Sequence, residues 1–323
     1  MAEGKPFDVS RAMLEDYIDS RKYPARLEVS DAAPLQRALE AGHLTPDTRL
    51  LTFEADGMLY AVPLEIVMVH NVIQGEIPGK PAWIMTFCLA CNTGMVFDPV
   101  VDGQTLHFRR RGGYEGMLLI YDDETGTYWQ HITGKALHGA SAGKALRQIA
   151  STRQMNSAEI HTRPDVLFFT AALTSDQERL SGIADKMRAE PNLNETTILS
   201  TIAEEDKRRP RFELGLGMWD DHTSAFLPLT TVHVHDHVVR TKLGNRAVIV
   251  YQQPEALSPV AVYLESETAV WEGDRLRLDK GGYIQDDIYH TPDGIQPIER
   301  PNQLLMRWFG FALTFPDCDV CIA

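Results

Sequence analysis

All four cysteines of this chain fall into two matched pairs, Cys88-Leu89-Ala90-Cys91 and Cys318-Asp319-Val320-Cys321. The tight turn of a CxxC loop points both sulfurs the same way, so two such pairs can give four thiolates to one tetrahedral zinc, at about 2.3 Å each. The separation between the pairs exceeds that of a zinc ribbon, so the fold would have to bring the C-terminus back to the first pair. A site of Cys88, Cys91 and Cys318 with a histidine or an open position is a second arrangement, and its soft thiolates also suit copper(I). A third reading is redox, with Cys88 as a thiol of lowered pKa that attacks disulfides. Against it, no thioredoxin-like βαβ pattern surrounds the loop. The bland reading is that the cysteines pack as small hydrophobes.

Other polar groups are candidates to serve such a site. Trp129-Gln130-His131 follows the turn "DDETG", and His138 lies just downstream. Taken with the CxxC pair, His131 and His138 are the acid/base or extra-ligand candidates. Arg109, Arg110 and Arg111 precede Gly112-Gly113, and guanidiniums beside a flexible turn can hold a carboxylate or phosphate. On a strand Arg109 and Arg111 share one face, so these two and Trp129 are the substrate-binding candidates. His233, His235 and His237 alternate in "VHVHDHV"; a strand would project all three from one face, either as metal ligands or as a solvated edge. His70, in the apolar run "IVMVHNVI", reads as a hydrogen-bonded core histidine.

The elements that must position these groups are mostly strands. Residues 8–20 and 34–42 read as short helices, the second between Asp31 and Gly42. From Thr48 onward short apolar runs are separated by Asp-Gly, Pro-Gly and Thr-Gly turns. Residues 175–209 read as helical and polar in two pieces divided by Pro191, and strand-like runs then resume. Two blocks recur in order. Residues 100–126 align with 269–294, matching Asp102-Gly103 to Glu272-Gly273, and 51–63 align with 239–251 around Gly57 and Gly244. That order favours an internal duplication over chance. The counterpart of the CxxC region in the second copy is "YQQPEALSPVAVY", which has no cysteine.

Four stretches, "FCLACNTGMVFDPVVDGQTLHF", "IYDDETGTYWQHITGKALHGASAGKAL", "HTRPDVL" and "RWFGFALTFPDC", resemble in that order the prokaryotic family known as domain of unknown function 3179. The resemblance covers roughly residues 48–172 and 211–320. It implies a fold and places the site at the CxxC loop, but it implies no established reaction. Two departures stand out: the family usually has a proline inside its CxxC, where this chain has Leu89-Ala90, and it usually lacks the three arginines. Many relatives look exported.

With 323 residues, 44% of them hydrophobic and 24% charged, the chain has an ordinary globular composition. A formal net charge of −14 argues against a nucleic-acid partner, because such binding rests on Lys and Arg. The N-terminus has no apolar signal core, and no run reaches the ~18 apolar residues of a membrane span. The expectation is a cytoplasmic protein whose reducing compartment keeps the cysteines as thiols or metal thiolates.

These readings combine into an α+β protein, predominantly antiparallel β, in two related halves. The segments are an N-terminal helical segment 1–47, a first β-rich repeat 48–172 with the CxxC loop, a helical insertion 173–210 and a second repeat 211–323 with the C-terminal CxxC. The leading functional reading is a metalloprotein with zinc or copper on Cys88, Cys91, Cys318 and Cys321, an enzyme of oxidoreductase or lyase type acting on a small anionic molecule. The alternatives are a non-catalytic protein with a structural zinc, and a dithiol–disulfide oxidoreductase or metal carrier.

Overall fold

Asp56 and Gly57 both take left-handed backbone angles (φ 51° and 71°), as a two-residue hairpin turn requires, and they join Arg49–Ala55 to Met58–Pro63. Pro63 ends the second strand and starts the helix Leu64–His70, which stops at Asn71 in a left-handed conformation (φ 59°). The structure, a computed structural model, describes residues 7–14, 26–42, 44–161, 163–191, 199–253 and 255–321. The chain divides into two units, Met1–Phe212 and Glu213–Ala323. The architecture is α+β with mostly antiparallel sheets, as the sequence predicts.

Three sheets make up most of the first unit. Onto the opening hairpin Arg153–Asn156 adds antiparallel and Val166–Phe168 adds parallel. A second sheet runs Gln148–Ser151, Met95–Phe97, Trp83–Thr86, Val72–Gly75 and Leu27–Val29 in spatial order. Every residue of Trp83–Thr86 is buried, so this strand is covered on both faces and carries the CxxC loop out of the core. The third sheet orders Met13–Leu14, Phe108–Tyr114, Met117–Asp122, Tyr128–Gln130 and Ala136–His138. The apolar faces of the first two sheets close on one cluster in which Phe53, Tyr60, Trp83 and Phe169 contact one another, with ring centroids 4.5 to 6.0 Å apart. Ser175–Ala189 packs on Leu64–His70, its first turn held by a capping box between Thr174 and Gln177.

The second unit repeats this connectivity. Leu214–Trp219 and Ser224–Pro228 form a hairpin, Pro228 starts the helix Leu229–Val234, Asn302–Arg307 adds antiparallel and Asp319–Val320 adds parallel. A meander of Val238–Leu243, Arg246–Tyr251 and Val260–Tyr263 follows the helix, as Val72–Gly75, Trp83–Thr86 and Met95–Phe97 do in the first unit. In order of elements residues 49–63 thus correspond to 214–228, whereas the sequence alignment matches 51–63 to 239–251. In that order of elements residues 252–259, between Arg246–Tyr251 and Val260–Tyr263, correspond to the CxxC loop between Trp83–Thr86 and Met95–Phe97.

Several local expectations are corrected. The predicted helix 8–20 is a single 3₁₀ turn, Val9–Arg11, followed by the strand Met13–Leu14 paired with Gly113 and Gly112; residues 15–20 lie outside the described residues. The Gly112-Gly113 pair is therefore strand, not turn. Helix 34–42 is present as Leu35–Glu40. Of the polar segment after Pro191, residues 192–198 lie outside the described residues, and only Leu199–Thr201 is helical in the described remainder. His233 sits in the helix Leu229–Val234 and His235–His237 in the turn after it, so the three histidines do not line one face of a strand.

Candidate metal centre

Residues 87–94 leave the buried strand as a tight loop. The Cys88 and Thr93 backbones exchange hydrogen bonds (2.8 and 3.3 Å), Asn92 N–H donates to Leu89 C=O, and Asn92 takes φ 59°. This turn folds Cys91 back so that its N–H donates to Cys88 Sγ at 3.4 Å. Two side chains of the neighbouring strand segment brace the loop from outside: Gln154 Nε2 donates to Asn92 C=O and Thr152 Oγ1 to Gly94 C=O. A Cβ at Gly94 would stand 1.8 Å from Thr86 C=O, so the close crossing of the two chain segments admits only glycine there.

His131 arrives from the third sheet. Asp122, fully buried, accepts from Thr125 N–H and Oγ1, Thr127 N–H and Trp129 Nε1, which organises the "DDETGT" turn and fixes the indole. Gln130 Oε1 then accepts from Ile132 N–H, Thr133 N–H and Thr133 Oγ1, turning the chain immediately beyond His131. Thr86 Oγ1 ties this turn to the strand before the CxxC loop: it donates to His131 C=O at 3.2 Å and accepts from Met95 N–H.

The result is a group of three. Cys91 Sγ and His131 Nε2 are 3.5 Å apart, and ligand atoms of Cys88, Cys91 and His131 all lie within 4.8 Å of one another. The three side chains are 2%, 0% and 0% exposed. Burial pushes the Cys88 thiol up, but hydrogen bonds from Cys91 and His131 and the charge on His131 outweigh it, holding Cys88 well below the ordinary thiol range. His131 Nδ1 is buried and has no hydrogen-bond partner among the described residues. Two thiolates and an imidazole are the donor set of a soft or borderline ion, so these residues fit a metal.

The chain matches, over residues 28–317, the family described as "Protein of unknown function (DUF3179)". It belongs to that family. No curated protein and no solved structure matches the chain. Within this DUF3179 chain, the CxxC and "DDETGTYWQH" motifs on which the family resemblance rests are the two segments that meet at the buried group.

The remaining predicted residues are distributed as follows. Trp129, a substrate-binding candidate from the sequence, is fully buried beneath the turn, and His138 is exposed, its ring stacked with Phe7 and 6.3 Å from Tyr128. Arg109 and Arg111 do share a face, both over the Tyr121 ring at 5.1 and 5.9 Å, while Arg110 donates to Asn71 Oδ1. A bulge between Arg110 and Gly112 breaks the strand alternation just there. Cys318 and Cys321 belong to the second unit: Cys318 is buried, and Cys321 packs against that unit's core, where burial pushes its thiol up. Neither belongs to the group of three. Sequence reasoning did not single out Thr86, Asp122 or Gln130; a signal was present at Asp122, whose spacing to Thr125 and Thr127 is that of an aspartate-capped turn.

Proposed function

We propose that this DUF3179 protein is a metalloprotein whose ion is held by Cys88, Cys91 and His131. The observation that carries this reading is the convergence of three soft or borderline ligand atoms within 4.8 Å in a fully buried position. Two thiolates buried together are costly, and a cation of charge one or two offsets that cost while taking up the imidazole. Three protein donors suit zinc with an open fourth position, or three-coordinate copper(I). Such an ion supplies Lewis-acid or electron-transfer chemistry; the chain supplies its charge balance and, through Arg109 and Arg111, groups able to hold a small anionic substrate. The reaction class that fits is an oxidoreductase or lyase working in a reducing compartment. No helix among the described residues is long and apolar enough to cross a membrane.

The test is elemental analysis of the purified protein beside Cys88→Ser and His131→Ala variants. About one equivalent of zinc or copper in the parent, lost in both variants, is expected; a parent protein free of stoichiometric metal after expression with each metal supplied would sink the proposal. Cys318→Ser and Cys321→Ser variants distinguish the three-donor centre from the four-cysteine set: undiminished metal in both favours the former.

A further inference from the structure

A cavity of about 680 Å³ opens in the first unit, lined by His70, Arg26, Arg109, Asp123, Thr174 and Gln177 among others. It is an open depression rather than an enclosed cavity, and its volume admits a small metabolite. Its polar wall is charged. Asp123 is shared, with Arg26 Nη1 at 2.5 Å from Oδ2 and Arg109 Nε at 2.8 Å from Oδ1, so two guanidiniums meet one carboxylate. Glu28, the further partner of Arg26, is 62% exposed and so is strongly screened by water.

Three of the lining residues carry polar groups without a partner among the described residues or with one donor to spare. The terminal nitrogens of Arg109 make no hydrogen bond among the described residues, although its guanidinium is steadied over Tyr121. Gln177 Oε1 is taken by the Thr174 N–H in the capping box, which leaves its Nε2 as a donor on a side chain that is 8% exposed. His70 is 5% exposed, and its Nδ1 has no hydrogen-bond partner among the described residues. A buried polar atom left unpaired costs about 1–3 kcal/mol, and a bound ligand is one way to recover it. Leu27, Ala171 and Ala172 give the cavity an apolar side.

We infer that this cavity binds a small organic acid, its carboxylate held by Arg109 and Gln177 with His70 at the buried end and its aliphatic part against Leu27 and Ala171. Arg26 and Arg109 are balanced by Asp123 and Glu28 in the lining, so the wall offers no excess positive charge to hold a dianion, and a single carboxylate would be taken by the Arg109 guanidinium beside neutral donors. The cavity is connected to the thiols through the chain. Asn71, next to His70, donates to Phe87 C=O and accepts from Phe87 N–H, and it accepts from Arg110, next to Arg109. Phe87 precedes Cys88. The assignment of this pocket as the substrate site rests on the metalloprotein reading; the binding itself does not.

The test is calorimetric titration of the full chain with butyrate, with its neutral isostere butyramide and with inorganic phosphate, alongside elemental analysis of each sample. Saturable butyrate binding below about 10 mM, with none for butyramide or phosphate, is expected. Arg109→Gln should weaken it roughly tenfold or more. Gln177→Glu keeps the capping box but sets a carboxylate against the ligand, and should abolish binding at an unchanged melting temperature. No butyrate binding, equal binding of butyramide, preference for phosphate, or binding untouched by both substitutions would each overturn the inference. Metal present without butyrate binding removes the cavity alone; butyrate binding without metal removes the metal centre alone.

Discussion

Cys91 Sγ stands 3.5 Å from His131 Nε2 across 40 residues of chain, and each is brought there by a different sheet. The contact is non-local, so it is formed only when both sheets are folded. His131→Ala should leave the CxxC turn intact, because that turn is closed by its own backbone bonds, yet lower metal affinity by about a hundredfold or more, more than the loss of an outer-shell partner costs. Competition with a chromogenic chelator measures this directly. Equal affinity in the two proteins would show that the imidazole is not a ligand. The same pair of proteins tests the dithiol reading: reversible Cys88–Cys91 disulfide formation in graded redox buffers, with no bound metal, would favour exchange chemistry instead.

Asp122 is predicted to matter almost as much as a ligand while touching none. Its buried carboxylate accepts four hydrogen bonds, two from backbone N–H groups, and the turn it builds leads directly to Trp129 and His131. Asp122→Asn conserves shape but turns one acceptor into a donor facing donors. The expected cost is about 2–4 kcal/mol in urea unfolding, with weakened metal binding. A variant as stable as the parent would remove the turn from the architecture of the centre.

What the sequence disclosed depended on whether the signal was local. The Asp56-Gly57 hairpin, the 34–42 helix and the CxxC loop between two strands are local, and all were readable. The approach of His131 to Cys91 is not local; only its candidacy as an extra ligand was visible. The His-x-His-x-His run misled because its period of two matches a strand. A better guide was Pro228-Leu229, which repeats Pro63-Leu64: in both units a strand ends at proline and a helix begins. The 8–20 segment failed differently. Its helical spacing was overridden when Gly112-Gly113, which have no side chains, accepted Met13-Leu14 as an edge strand.

Two glycine substitutions should move stability in opposite directions. Gly94→Ala forces a methyl group to 1.8 Å from Thr86 C=O, and backbone atoms on both sides must shift. We expect a loss of about 2–3 kcal/mol or more and disturbed metal binding, since Thr86 also holds His131. Gly182 lies inside the helix Ser175–Ala189 with nothing within 4 Å of a Cβ, so Gly182→Ala should gain about 0.5–1 kcal/mol. Urea midpoints compare them. A neutral Gly94→Ala would mean that the loop does not pack as described.

His70 should make the stability of the fold depend on pH. Burial pushes its imidazole below the ordinary histidine range; the Arg26 backbone opposes this and the Arg110 charge adds to it. The other charged groups at its cavity are Arg26, Arg109, Asp123 and Glu28. A depressed histidine binds fewer protons folded than unfolded, so the unfolded chain gains on acidification. The His70 contribution to stability is therefore complete above about pH 6.5 and is lost as pH falls through its folded value. The difference between parent and variant isolates the His70 contribution. His70→Gln should flatten the fall in urea midpoint between pH 7 and 5, and parallel curves for parent and variant would show that His70 carries none of it.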